Sequence, residues 1–375
     1  MRRAKGLATA FAVFGLFWGG WAACLPAVQR ATDASASTLG IALLAVALGA
    51  LPAMLAAGWL ADTLGQRMVP LALVAFGLTT MLPGLARSVP ILFLFLLAVG
   101  AASGLLDVAI NADASRRETV FRVRVMDGLH AAFSAGVLVG AAGTGFLRKA
   151  GAHPSWILFG IGALVILSAA ANVESIPSTA AAREPRRIRP ARGLLVVGAV
   201  LALAFLVESG VEQWSALFLE RSFDSSPAVS GLGPGLFAAS MATGRLLAQR
   251  FARPSVTARM VFAGTAASAG AGLAAASPHA AVALIGFVIA GIGLALSAPT
   301  LFGVAGRVGG EAGRGAAVST VAILGYVGFL AGPPLIGAVS GGTSLRGGFI
   351  FLCVTGLLVA ASTPALRGPA REIRR

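Results

Sequence analysis

Apolar stretches long enough to cross a lipid bilayer follow one another along almost the whole of this 375-residue chain. A helix needs roughly 20 apolar residues to span the hydrocarbon core. Segments of that kind lie at 7–28, 38–61, 68–86, 90–112, 126–147 and 154–173, and again at 193–219, 228–249, 258–276, 280–304, 315–340 and 347–366. With 11% charged residues, against about 25% in soluble domains, the chain cannot cover a water-facing surface. A soluble globular enzyme is excluded, and the expected fold class is an all-α membrane protein of twelve transmembrane helices. The first run follows Arg2, Arg3 and Lys5 but outlasts the roughly 7–15 apolar residues of a signal-peptide core, so it reads as a retained helix.

The formal charge of +15 would suggest nucleic acid in a soluble protein. Here the basic residues fall between apolar segments and act as topology signals. With a cytoplasmic N-terminus, 23 Lys and Arg lie inside, while Arg30, Arg87, Arg148, Lys149, Arg221 and Arg346 lie outside. Positive charge marks the cytoplasmic side, so both termini are expected in the cytoplasm and no nucleic acid partner is expected. Arg116, Arg117, Arg122 and Arg124 read as solvated topology charges.

The longest polar stretch, 174–192, carries three prolines and five arginines near the middle of the chain. It reads as a cytoplasmic linker between an N-terminal half, 1–173, and a C-terminal half, 193–375. The halves repeat. A shift of 193 places Trp21-Ala22-Ala23 on Trp214-Ser215-Ala216, and a shift of 192 places Gly136, Gly140 and Gly145 on Gly328, Gly332 and Gly337. Parallel repeats of this kind build two-halved transporters with a site held between the halves.

Few polar residues interrupt the spans. Asp107 and Asn111 are four apart on the fourth helix and share a face, as do Glu208 and Glu212 on the seventh. Ionisable residues inside a span face a cavity or a proton path, so these four are candidates for substrate or proton binding. His130 on the fifth helix joins them, with packing as its bland alternative. Trp21 and Trp214 can stack on a ring-shaped solute or simply pack. Arg245 either snorkels to the headgroups or forms a charge pair with Asp107. Cys24 and Cys353 read as packing residues, and three scattered histidines make no metal cluster, so neither metal nor cofactor is expected. The absence of a G-x-x-x-x-G-K-[ST] sequence argues against ATP drive by this chain.

Between the second and third segments stands Gly58-Trp59-Leu60-Ala61-Asp62-Thr63-Leu64-Gly65-Gln66-Arg67. This resembles the loop signature of the major facilitator superfamily, G-x-L-A-D-x-x-G-x-R, which implies a gating role for Gly58, Asp62, Gly65 and Arg67. The second half lacks the pattern. The glycine-rich fourth helix with Asp107 and Asn111, followed by Leu129, His130 and Gly136, is similar to the fucose permease branch, and the likeness to YbjJ-like bacterial members covers essentially the whole chain.

Together these features imply a secondary active transporter and not an enzyme. The expected activity is proton-coupled movement of a small polar solute, a sugar or sugar-like compound, by alternating access, acting as a monomer in a bacterial cytoplasmic (inner) membrane. Its partners are then the small-molecule substrate, protons and the lipid bilayer. The fifth helix lacks the Gly-Pro pair typical of drug/proton antiporters, which weighs against the rival reading, drug or metabolite efflux. A membrane-embedded enzyme or receptor is a more distant alternative, since no intramembrane catalytic set is evident.

Overall fold

A computed structural model of the chain describes residues 5–123, 125–172, 192–250 and 255–366; within these, the side chains at positions 58, 62, 249, 250, 311 and 312 are not described. The described residues are almost entirely helical, without a strand. This is the expected solution in lipid, where each backbone polar group must be satisfied within its own segment.

The N-terminal series comprises α1 (Lys5–Ala31), α2 (Ala36–Leu64), α3 (Met68–Thr80), α4 (Val89–Phe121), α5 (Met126–Lys149) and α6 (Pro154–Ala170). The C-terminal series comprises α7 (Arg192–Phe223), the one-turn α8 (Pro227–Ser230), α9 (Leu232–Arg250), α10 (Val256–Ala276), α11 (Ala280–Leu294), α12 (Ser297–Val308), α13 (Gly310–Gly342) and α14 (Leu345–Ala361). Counting α11 with α12, which form one apolar path over Ala280–Val308, nine helical segments among the described residues are long and apolar enough to cross a membrane, and α6 is a shorter apolar helix.

The chain divides into two compact units. One holds the residues up to Ala180 together with Asp224–Gly235, and the other holds Ala181–Phe223 and Leu236–Arg375. The stretch at 173–191, where the linker is expected, lies outside the described residues.

Within each unit the helices pair in the same way. In the first, α1 packs on α5, α2 on α4 and α3 on α6; in the second, α7 packs on α13 and α10 on α14. The counterpart of α2 on α4 is α9 against α11, where a Cβ on Gly291 would meet the Phe237 carbonyl. These contacts are backbone-close. A Cβ on Gly136 or Gly140 would overlap the carbonyl oxygens of Ala12 and Leu16, and one on Gly328 would overlap that of Ala202. Lipid tails give no hydrophobic drive for helices to associate, so small residues that let backbones touch supply the van der Waals contact. For Gly136 and Gly140, and for Gly328 and Gly332 at the offset of 192, the sequence repeat thus recurs as packing, with α5 lying on α1 and α13 lying on α7, while Gly145 meets Pro227 of α8.

Two departures from the expected segment ends have local causes. The tenth segment is broken between α11 and α12 because Pro299 has no N–H to donate and its ring crowds the carbonyl of Ala295. The fourth helix runs nine residues beyond its apolar span because Asp113 pairs with Arg116 and Arg117 at the i+3 and i+4 positions, which favours continued helix. It stops at Arg122, which takes a left-handed conformation with φ of 52°.

Candidate functional site

On α4, Asn111 turns its side-chain amide back one turn and donates to both the carbonyl oxygen of Asp107, at 2.9 Å, and its carboxylate Oδ1, at 3.0 Å. The shared face expected from the i, i+4 spacing is therefore used for a direct contact. Both side chains are half-buried. The amide fixes the rotamer of the acid and occupies one lobe of one oxygen, which leaves Asp107 with acceptor capacity for a solute hydroxyl or a proton.

Beside the α1–α5 seam the first unit carries an aromatic cluster. Phe14 meets Phe76 of α3 and Phe133 of α5 at centroid distances of 5.3 and 5.5 Å, and Phe17 and Trp18 meet at 5.1 Å. His130 is exposed, and its imidazole meets the ring of Phe11 edge-on at 5.4 Å. Trp21 lies one turn further along α1 and is only 1% exposed, with an indole nitrogen that has no hydrogen-bond partner.

In the second unit Trp214 repeats that condition, being 0% exposed with its indole nitrogen also unpartnered. Both rings are enclosed by protein in this conformation, as packing requires. Glu208 and Glu212 are half-buried on α7 and lie within electrostatic range of each other. Arg245 of α9 lies within electrostatic range of Glu208, a relationship inside its own unit that sequence reasoning did not weigh.

At the α2–α3 turn, Gly65 closes α2 with φ of 52° and ψ of −122° and returns its N–H to the carbonyl of Ala61. Only glycine takes that conformation without strain, so Gly65 is a backbone requirement of this turn. Arg67 ends the following 3-10 turn and is exposed. The side chains of Gly58 and Asp62 lie outside the described residues.

One expectation is corrected. Arg117 is not solvated, since its side chain is 10% exposed and its Nε binds Asp113 Oδ2 at 2.7 Å, while the partly exposed Arg116 reaches Asp113 Oδ1 through Nη2 at 3.3 Å. Asp113 was not among the candidates. The signal was present in its i+3 and i+4 arginines, but a basic cluster beside a loop reads first as a topology marker. Glu118 joins the same region by accepting the backbone N–H groups of Val125 and Met126 at the start of α5. Among the described residues no three His, Cys, Asp or Glu side chains come together as metal ligands.

Comparison with known proteins agrees with this architecture. A profile described as Major Facilitator Superfamily matches residues 7–313. An uncharacterised MFS-type transporter of Yersinia pestis is 31% identical over 95% of this chain and 94% of its own length. The membrane protein MosC of Rhizobium meliloti is 28% identical over 94% of this chain and 87% of its own. Among solved structures, the nucleoside transporter NupG superposes with a TM-score of 0.78 at 13% identity, covering 98% of this chain and 99% of that one. A bacterial homologue of the lysosomal transporter Spinster reaches 0.76 at 16% identity, covering 98% and 97%.

Proposed function

Since the chain belongs to the major facilitator superfamily, a family of membrane transporters, we propose that it is a proton-coupled secondary transporter. Its cargo is a small polar solute of sugar-like character, moved by alternating access between halves at 1–173 and 193–375. The observation that carries this reading is the Asp107–Asn111 pair. A carboxyl near the middle of an apolar helix, half-buried and held by an amide, is expensive to keep in a membrane unless it serves binding or proton transfer. Glu208 on α7 offers a second carboxyl in the other half.

The reading includes insertion in a bacterial cytoplasmic membrane with both termini inside, supported by the division of basic residues, and action as a monomer. The YbjJ-like branch related to fucose permease belongs to the same proposal, supported by Asp107, Asn111 and the glycines of the fourth and fifth helices.

Uptake into inverted and right-side-out vesicles tests it, using a panel of sugars and polyols under an imposed pH gradient. Saturable, gradient-dependent accumulation of a polar solute is the expected result. Gradient-driven extrusion of lipophilic compounds, with no polar solute moved, would replace it by efflux, and transport indifferent to the gradient would remove the proton.

A further inference from the structure

We infer that the α7 face carrying Phe205, Glu208 and Glu212, with Tyr326 and Phe329 of α13 beside it, is a subsite for a cationic group, so that the transported solute bears a protonated amine. This rests on the transport reading above and narrows it.

Phe205, Glu208 and Glu212 follow one another at three and four residues near the middle of Arg192–Phe223, so their side chains stack along one stripe of the helix. Among the described residues neither carboxyl has a hydrogen-bond partner. Glu208 lies within electrostatic range of Glu212 and of Arg245, without an ion pair to Arg245 among the described residues. In a low-dielectric span an unpaired carboxylate is costly and an anionic cargo would add to that cost, whereas an ammonium group pairs with the carboxyl and stabilises its charged form.

Two further features favour an organic cation over a bare charge. Phe205 sits 6.2 Å from the ring of Tyr326 and 6.3 Å from that of Phe329, and Tyr326 is 37% exposed. Aromatic rings beside carboxylates bind ammonium groups through their electron-rich faces while the carboxylates accept its N–H bonds. Ser215, one turn beyond Glu212 on the same stripe, is 0% exposed, and its hydroxyl oxygen has no partner. A buried hydroxyl without a partner among the described residues, one turn from Glu212, is a polar group that a hydroxylated amine would satisfy.

The test uses the full-length purified chain and matched pairs of probes, which are glucosamine against glucose, ethanolamine against ethylene glycol, and choline against 3,3-dimethylbutanol. The thermal unfolding midpoint is recorded as each probe is titrated, for the wild type, Glu212→Gln, Glu208→Gln and Phe205→Leu. At least one amine should raise the wild-type midpoint in a saturable way while its neutral partner does not. Its apparent affinity should fall about tenfold or more in each amide variant, the usual scale for a lost charge-assisted bond, and severalfold in Phe205→Leu. Failure of every amine to shift the midpoint, equal shifts by the neutral partners, or amine shifts that survive in both amide variants would each overturn the inference. The size-exclusion profile identifies a variant that has lost its fold, in which case Phe205→Leu with the wild type decides. Vesicle uptake separates the two levels. Accumulation of a neutral sugar without preference for amines removes the cationic subsite and leaves the transport reading standing, while transport of lipophilic compounds alone removes both.

Discussion

Arg117 Nε lies 2.7 Å from Asp113 Oδ2, one turn further along α4, with 10% of the arginine side chain and 2% of the aspartate side chain exposed. The same carboxylate also reaches Arg116, so one buried anion is shared by two cations at the end of α4. Asp113→Asn keeps the shape and removes the charge, taking the Asp113 anion away from the buried Arg117. Breaking one partner of a buried pair costs about 3 kcal/mol or more. A clear drop in the thermal midpoint in detergent is expected, together with lower expression. Replacing both residues, Asp113→Leu with Arg117→Met, should recover most of the loss, and a single variant as stable as the wild type would show that the pair is not structural.

Gly140 and Gly143 are three residues apart on α5 and have opposite surroundings. A Cβ at Gly140 would overlap the Leu16 carbonyl oxygen of α1, while one at Gly143 would meet nothing within 4 Å. Gly140→Ala should separate the α1–α5 seam and destabilise by about 1–3 kcal/mol, the range for forced overpacking. Gly143→Ala should be neutral or stabilising by up to about 1 kcal/mol through helix propensity. Equal midpoints for the two variants would refute the backbone-contact account of this seam.

The legible part of the fold was the part written in apolar length and in small-residue spacing. Spans can be placed because a bilayer imposes one thickness on all of them, and the α5 and α13 glycines can be matched because close helix contact tolerates little else. Asp107 and Asn111 were legible because four residues bring two side chains onto one face, and a polar pair in an apolar run stands out. Asp113 was not, because a carboxylate beside arginines at a helix end looks the same in sequence whether water or protein surrounds it. The burial of Trp21 and Trp214 was equally hidden, since an indole in an apolar helix fits both packing and solute stacking, and only the neighbouring helices decide. The electrostatic relationship of Arg245 to Glu208 joins side chains on two different helices, which no local spacing records.

The division of basic residues makes a topology prediction. A reporter fused after Arg375, or inserted in the stretch 174–192, should be active only as a cytoplasmic marker, and one inserted at Ser225, between α7 and α8, only as an external one. Fusions of a phosphatase and a fluorescent protein at the three positions check this. An external signal from 174–192 would overturn the arrangement of two six-helix halves.

Asp107 and Glu208 sit near the middle of α4 and α7, but their surroundings differ, and so should their variants. Asp107 is held by Asn111 alone among the described residues, in a span where a carboxyl that takes up and releases a proton can follow alternating water access. Asp107→Asn keeps the size and most of the hydrogen bonding of the side chain while removing its titration. For a carrier that draws on the proton gradient, this variant should lose accumulation against a gradient yet still exchange labelled for unlabelled solute, since exchange needs binding and closure but no net proton movement. Glu208→Gln should lose exchange as well, because the carboxyl it removes belongs to the proposed cargo subsite. Paired accumulation and exchange assays in proteoliposomes, with and without an imposed pH gradient, separate the two roles. If Asp107→Asn still accumulates solute in a gradient-dependent way, the coupling proton is carried elsewhere, and Asp107 is then a ligand for the solute or a structural partner of Asn111.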